Sequence, residues 1–181
     1  MPKHAPDYSE DLLERAARIR LACFDVDGTL TDGRLWFNDL GHESKAFHVL
    51  DGQGLVSLRK AGIEVAFVTA RDSLVAANRA NELGLAAHVD CKDKLACVRG
   101  LAADRGLEMA QVAFMGDDLP DLAVLREVGF AVAPANVHHW LRDAVHWVTP
   151  SRGGEGAARE LCDLVLHAQG AVASLLGTPV R

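Results

Sequence analysis

The chain has 181 residues, 49% of them hydrophobic and 24% charged, with a net charge of -6. This length suits one domain with a core of its own, and the composition is that of a globular protein rather than a disordered or fibrous one. The acidic balance argues against nucleic acid or an anionic membrane as partner, because either asks for a basic face.

The first 18 residues lack an apolar run and carry Asp7, Glu10, Asp11 and Glu14, which argues against a signal peptide or membrane anchor. Ser9 is placed to cap a short helix in which Leu12, Leu13, Ala16 and Ala17 recur at helical spacing. Strands are then expected near 20–25, 64–69, 86–90, 112–115, 130–133 and 145–148. Helices are expected near 53–61, 72–83, 94–105, 119–128, 137–143 and 155–169. Such alternation makes right-handed crossovers and a parallel sheet covered on both faces, so the expected class is α/β, a three-layer Rossmann-like fold.

The segment from Gly33 to Asp51 breaks the alternation. Arg34 to Asn38 and Glu43 to His48 read as the arms of an inserted β-hairpin, and no other connection is long enough for a large cap domain. We therefore expect one domain over residues 1–181, with 33–51 as the hairpin and 177–181 as a flexible tail. Leu35, Trp36, Phe37 and Phe47 crowd this hairpin and cannot all be buried in one subunit if its strands alternate inward and outward, so some apolar surface is expected to meet a partner. Cys23, Cys91, Cys97 and Cys162 form no C-x-x-C pair and two of them sit in apolar runs, which points to reduced thiols and a cytoplasmic location.

Chemistry concentrates at the ends of the apolar runs. Asp25 and Asp27 follow Leu21 to Phe24 directly and lead into Gly28 and Thr29. An ionised carboxylate at such a strand end can attack phosphorus, a second one two residues on can trade a proton with the leaving or entering oxygen, and a glycine lets backbone N–H groups close on a phosphate. Thr69 ends the run Val65 to Val68, Lys94 follows Val89, and Asp117 and Asp118 follow Val112 to Met115. In an open parallel sheet the carboxyl ends of the strands face one crevice, so these residues converge. Thr69 is expected to donate to a phosphoryl oxygen, and a lysine to neutralise charge in a loose transition state. Lys92 and Lys94 both fit that role. Asp117 is a hard oxygen ligand suited to Mg²⁺, together with Asp25 and Asp27. Asp118 and Asp121 are possible supporting residues: Asp121 lies one turn beyond Asp117 and could orient Lys94, or could simply favour a helix start.

The ordered set D-x-D-G-T, Thr, Lys and G-D-D-x-x-D resembles the haloacid dehalogenase superfamily of phosphohydrolases, in its capless subclass. The stretches D-V-D-G-T-L-T-D-G, K-A-F-H-V-L-D-G, V-T-A-R, G-D-D-L-P-D-L and G-G-E-G-A-A-R-E-L-C-D-L-V-L further resemble the family of 3-deoxy-D-manno-octulosonate 8-phosphate phosphatases. That resemblance implies a Mg²⁺-dependent phosphomonoesterase of lipopolysaccharide biosynthesis that works as a homotetramer, each hairpin helping to cover a neighbour's site. It makes Asp25 the nucleophile, Asp27 the general acid and base, and Lys94 rather than Lys92 the cation. It also assigns substrate contacts to Asp27, His48, Val49, Leu50, Asp51, Gly52, Arg71, Arg79 and Lys94. The two arginines suit a sugar acid, since a guanidinium grips a carboxylate with two parallel hydrogen bonds. Leu50 stands where related sequences often carry a basic residue. Rival readings are a phosphatase of a nine-carbon sialic-type sugar-acid 9-phosphate, a phospho-aspartate receiver, and a non-catalytic phosphatase-like interaction module.

Overall fold

Leu21, Ala22, Cys23 and Phe24 are all fully buried and form the strand around which the fold is built, in a computed structural model that describes residues 7–177. In chain order the strands are β1 (Leu21–Phe24), β2 (Trp36–Phe37), β3 (Glu43–Ser44), β4 (Glu64–Val68), β5 (Ala86–His88), β6 (Val112–Met115), β7 (Phe130–Ala133) and β8 (Trp147–Val148). The α-helices are α1 (Glu10–Ala17), α2 (Val49–Lys60), α3 (Leu74–Glu82), α4 (Lys94–Ala103), α5 (Leu122–Leu125), α6 (Ala157–Ala168) and α7 (Val172–Gly177). Six strands form one sheet in the order β5-β4-β1-β6-β7-β8, and every pair in it is parallel. β2 and β3 pair antiparallel as a separate hairpin.

Successive strand residues point to opposite faces. Ala22, Phe24, Val65, Phe67, Ala113 and Met115 accordingly pack with α1, α2, α3 and α6 on one face, while Leu21, Cys23, Ala66, Val68, Val112 and Phe114 pack with α4 and α5 on the other. Two apolar layers explain why these strands read as continuous hydrophobic runs. The α/β, three-layer expectation is met, and no described helix is long and apolar enough to cross a membrane.

Element boundaries depart from the sequence reading where tertiary contacts overrule local signals. α2 starts at Val49, not near residue 53, so His48 is its N-cap and Val49 to Gly52 are its first turn. The glycines that make this turn look like a loop allow neighbouring side chains to lie close: Arg79 comes so near Gly52, and Arg159 and Cys162 so near Gly54, that a Cβ at either position would crowd them. The helix expected over 119–128 is a 3-10 turn, Leu119–Asp121, followed by the single turn of α5, because Pro120 and a reciprocal cap between Asp118 and Asp121 tighten its start. The helix expected over 137–143 is a 3-10 segment, His139–Ala144. The hairpin strands are two residues each. α7 lies where no helix is expected, and Gly177 ends it; the rest of the expected tail lies outside the described residues.

Candidate active site

β1 is central and β4 and β6 flank it, so Asp25, Thr69 and Asp117 emerge side by side at the carboxyl ends of three adjacent strands. Asp25 continues the sheet by donating its N–H to Met115 O at 2.9 Å. The chain then turns at Gly28, whose φ of 95° suits a residue without a Cβ. A Cβ there would run into the Asp117 carboxylate. Gly153 is similarly required, since its Cβ would meet the Gly28 carbonyl, and Asn136 ties the two together: its amide donates to Gly28 O at 2.8 Å and its oxygen accepts from Gly153 N at 2.6 Å.

One cleft is lined by Asp25, Asp27, Thr69, Arg71, Lys94, Asp118 and Asp121. Lys94 opens α4 and is buried there, its ammonium donating to Asp25 Oδ1 and to Asp121 Oδ1, both at 2.6 Å. Burial opposes the Lys94 charge, but the two carboxylates outweigh it and hold the ammonium above its usual range. The other Asp121 oxygen accepts from the N–H groups of Asp117 and Asp118, at 3.0 and 3.3 Å. Asp121 is thus fully engaged in holding Lys94 and the 117–118 turn. Asp118 is exposed and caps the following 3-10 turn through Leu119 N at 2.8 Å. Thr69 is buried and its Oγ1 accepts from Arg71 N at 3.3 Å, so its hydroxyl proton remains free for an oxygen in the cleft.

Carboxylate oxygens of Asp25, Asp117 and Asp121 lie within 4.8 Å of one another. Burial, then the charge of Asp121, raises Asp25 well above the usual carboxylate range. The same two causes in the same order raise Asp117 to about 7, although Thr29 donates to its Oδ1 at 3.2 Å. Crowded, desolvated carboxylates with too few cations fit a hard divalent cation such as Mg²⁺. Since Asp121 is spoken for, Asp25 and Asp117 are the side chains that would hold it. The Asp27 carboxylate turns elsewhere, which leaves its backbone carbonyl as the atom it would offer.

Asp27 faces two cations. Lys45 Nζ contacts its Oδ1, and Arg71 Nε lies 3.8 Å from Oδ2, which has no hydrogen-bond partner. Lys45 and its partner Glu43 escaped the sequence reading. The Lys45 side chain has no exposed surface, and its ammonium also meets Glu43 Oε1 at 3.0 Å. Glu43 further accepts from Arg71 at 3.0 Å and from Ser73 at 2.6 Å. This network fastens the base of the hairpin to the cleft. Its signal in the sequence was the Glu43, Lys45 spacing, which puts both side chains on one side of an extended strand.

The remaining candidates sit around the start of α2. Asp51 is buried and points to α6, its Oδ1 accepting from Arg159 N at 2.7 Å. Gly156, the N-cap of α6, has no side chain to do this, so α2 supplies the cap. Burial raises the Asp51 carboxyl above its usual range. His48, Asp51, Gly52 and Arg79 line a small hollow beside Phe47 rather than the cleft. Arg79 bonds Glu82 at 2.8 Å and lies over the Phe47 ring, 5.8 Å from its centroid. Val49 and Leu50 are exposed. Phe47 packs against the chain's own core, whereas Trp36, Phe37 and Leu40 remain exposed, Trp36 to 62%.

Comparison with known proteins places this geometry. Residues 90–161 match the family described as haloacid dehalogenase-like hydrolase. The 3-deoxy-D-manno-octulosonate 8-phosphate phosphatase KdsC of Yersinia pestis is 43% identical over 162 residues, 89% of this chain and 87% of that protein. The crystal structure of a hypothetical protein from Xanthomonas campestris is 56% identical, with a TM-score of 0.96 over all of both chains. That of the Moraxella catarrhalis 3-deoxy-D-manno-octulosonate 8-phosphate phosphatase, in complex with magnesium ion, phosphate ion and KDO, is 39% identical, with a TM-score of 0.90 over 93% of this chain and 98% of that one. On this likeness along almost its whole length, the chain belongs to the 3-deoxy-D-manno-octulosonate 8-phosphate phosphatase family of haloacid dehalogenase-like hydrolases.

Proposed function

We propose that this phosphoric monoester hydrolase converts 3-deoxy-D-manno-octulosonate 8-phosphate to the free sugar acid and phosphate, in the cytoplasm, as a step of lipopolysaccharide synthesis. The observation that carries the reading is that Asp25, Asp27, Thr69, Arg71 and Lys94, drawn from two strand ends and a helix start, line one cleft. An Asp25 oxygen attacks phosphorus and the ester P–O bond breaks. Asp27 gives its proton to the departing alkoxide, leaving an aspartyl-phosphate on Asp25. Water then attacks phosphorus, Asp27 takes its proton, and phosphate and the Asp25 carboxylate are released. Lys94 fixes the Asp25 carboxylate and, with the Thr69 hydroxyl, meets charge that spreads over the phosphoryl oxygens. Held by Asp25 and Asp117, Mg²⁺ would supply further charge neutralisation at the phosphoryl group.

Arg71 stands beside Asp27 and suits the sugar carboxylate. Arg79 and residues 48–52 belong to the substrate side in the same reading; His48, Asp51, Gly52 and Arg79 line the hollow that adjoins Phe47, and Val49 and Leu50 are exposed. We assign the chain one domain and a homotetrameric assembly. Trp36, Phe37 and Leu40 at the hairpin tip supply apolar surface for a neighbour that would exclude water from the aspartyl-phosphate.

Phosphate release measured across sugar-acid phosphates, with and without Mg²⁺, tests the reading. Preference for the eight-carbon 8-phosphate supports it; preference for a nine-carbon 9-phosphate, or no turnover on any ester, overturns it. Sedimentation under assay conditions tests the assembly, which a fully active monomer would refute.

A further inference from the structure

Cys91 and Cys97 bracket Lys94, and their sulfurs stand 3.2 Å apart as free thiols. The other two cysteines, Cys23 and Cys162, are fully buried in the core. Cys91 lies two residues before Asp93, the N-cap of α4, and Cys97 lies in the turn that follows Lys94, so the two side chains meet across the start of the helix. Both are partly exposed. Their segment is bound to the phosphate-binding strand end. Cys91 N donates to Thr69 O at 2.9 Å, Asp90 N to Arg71 O at 3.1 Å, and Lys92 Nζ to Ala70 O at 2.6 Å. Asp90 takes a φ of 56°, a conformation that residues other than glycine seldom occupy.

We propose that Cys91 and Cys97 form a redox-active dithiol, a modification site for hydroperoxides whose closure to a disulfide slows turnover by displacing Lys94. The Cys91 sulfur attacks a peroxide oxygen, the O–O bond breaks, and Cys91 becomes a sulfenic acid as the first water forms. The Cys97 sulfur then attacks the Cys91 sulfur, and its proton leaves with the hydroxyl as a second water. Two thiols and one hydrogen peroxide thus give one disulfide and two waters, with two electrons passing from sulfur to oxygen. Burial, with the neighbouring Cys91, pushes the Cys97 thiol up to about 12, which leaves Cys91 to meet the peroxide first, and the 3.2 Å between the sulfurs puts Cys97 in reach to resolve the sulfenic acid. Bond formation draws the sulfurs together by roughly 1 Å, and a misplacement of that size in a catalytic geometry can cost about 10²-fold in rate. Lys94 is held at 2.6 Å from each of two carboxylates, which leaves little room for such movement. Small-molecule thiols reverse the bond by exchange, as with the transient disulfides of reducing compartments.

The rate effect rests on the phosphatase reading, whereas the bond itself does not, so the experiment reads them separately. Reduced enzyme is treated with hydrogen peroxide, alkylated, and digested with trypsin without reductant. Cleavage after Arg79, Lys92, Lys94 and Arg99 should yield peptides 80–92 and 95–99 as one disulfide-linked species that dithiothreitol separates. Hydrolysis of p-nitrophenyl phosphate should fall at least about tenfold as that species accumulates and return with dithiothreitol. Cys91→Ser and Cys97→Ser should keep the untreated rate and retain it after peroxide. Absence of the linked species, linkage through Cys23 or Cys162, or equal peroxide sensitivity in both variants would overturn the site. Quantitative disulfide with an unchanged rate would overturn the coupling to Lys94.

Discussion

Replacing Lys45 with methionine isolates the part of the site that holds Asp27. Methionine keeps the length and apolar stem of the side chain but has no donor, and the position has no exposed surface at which water could take over. Asp27 then keeps only Arg71, whose Nε at 3.8 Å is beyond hydrogen-bond reach, and its Oδ2 already lacks a partner. A hydrogen bond to a charged group contributes about 1.5–3 kcal/mol. If most of that holds Asp27 where it meets the ester oxygen, and tenfold in rate corresponds to about 1.4 kcal/mol, kcat should fall by roughly 10- to 150-fold. Glu43 retains Arg71 and Ser73, so the base of the hairpin stays fastened.

The assay is the initial rate of phosphate release at saturating substrate, run on the sugar-acid phosphate and on p-nitrophenyl phosphate, with circular dichroism to confirm that the variant is folded. The loss should be larger on the sugar phosphate. An alkoxide needs a proton as it leaves, which is the work assigned to Asp27, whereas nitrophenolate departs without one. A folded Lys45→Met enzyme within about twofold of the parent on the sugar phosphate would refute the argument, because so small a change is far below the cost of a lost charged hydrogen bond.

Asp25→Asn should abolish Mg²⁺-dependent phosphate release while leaving the melting transition in place, since an amide keeps the shape but not the nucleophile; more than trace turnover would remove Asp25 from its role. Arg71→Ala should weaken the sugar-acid phosphate by about tenfold more than an aryl phosphate, since only the former has a carboxylate to lose. Arg79→Ala should show the same selectivity, and a loss of melting temperature with unchanged kinetics would assign Arg79 instead to packing on Phe47 and Gly52. Without metal, the raised Asp117 means that the folded state holds its proton more tightly than the unfolded chain, so its contribution to stability is complete below the usual aspartate value of 3.8 and lost as pH rises to about 7. His88 and His146, held below their usual range first by burial, push the other way. The informative quantity is therefore the difference from Asp117→Asn: metal-free wild type should lose stability relative to this variant between pH 4 and 7, and no relative change would refute the sign.

Residues whose position follows from a single strand were readable from the sequence. Leu21 to Phe24 and Val112 to Met115 are apolar on both faces, a pattern that places them inside a parallel sheet and puts Asp25 and Asp117 at its carboxyl edge. Residues whose position depends on two elements closing on each other were not. Lys45 becomes a partner of Asp27 only after the hairpin folds over the end of β1, and nothing within a few residues of Lys45 specifies that closure. Asp51 caps a helix more than a hundred residues away, so its place among the substrate contacts expected at residues 48–52 said little about where its carboxylate would point. The early start of α2 has the same origin. Glycines that disfavour an isolated helix are tolerated where the backbone must lie against Arg79 and α6.

Charge explains why a site so rich in acid suits an anionic ester. Apart from the exposed Asp118, the acids around the cleft, Asp25, Asp27, Glu43, Asp117 and Asp121, face Lys45, Arg71 and Lys94, which leaves an excess of two negative charges when all five are ionised. A phosphate monoester brought to that floor would be repelled. One divalent cation cancels the excess, and it fits where the oxygens of Asp25 and Asp117 converge. The raised affinity of Asp25 and Asp117 for protons is the same imbalance, met by protons when the metal is absent. Proton and metal therefore compete for one pair of carboxylates, and metal affinity must rise with pH as those protons are released. The cations sit on other oxygens: Lys94 is tied between Asp25 Oδ1 and Asp121 Oδ1, and Lys45 and Arg71 attend Asp27. Asp25 and Asp27 thus each have a cationic neighbour, and the uncompensated remainder is left beside Asp117, where a Mg²⁺ ion would fit.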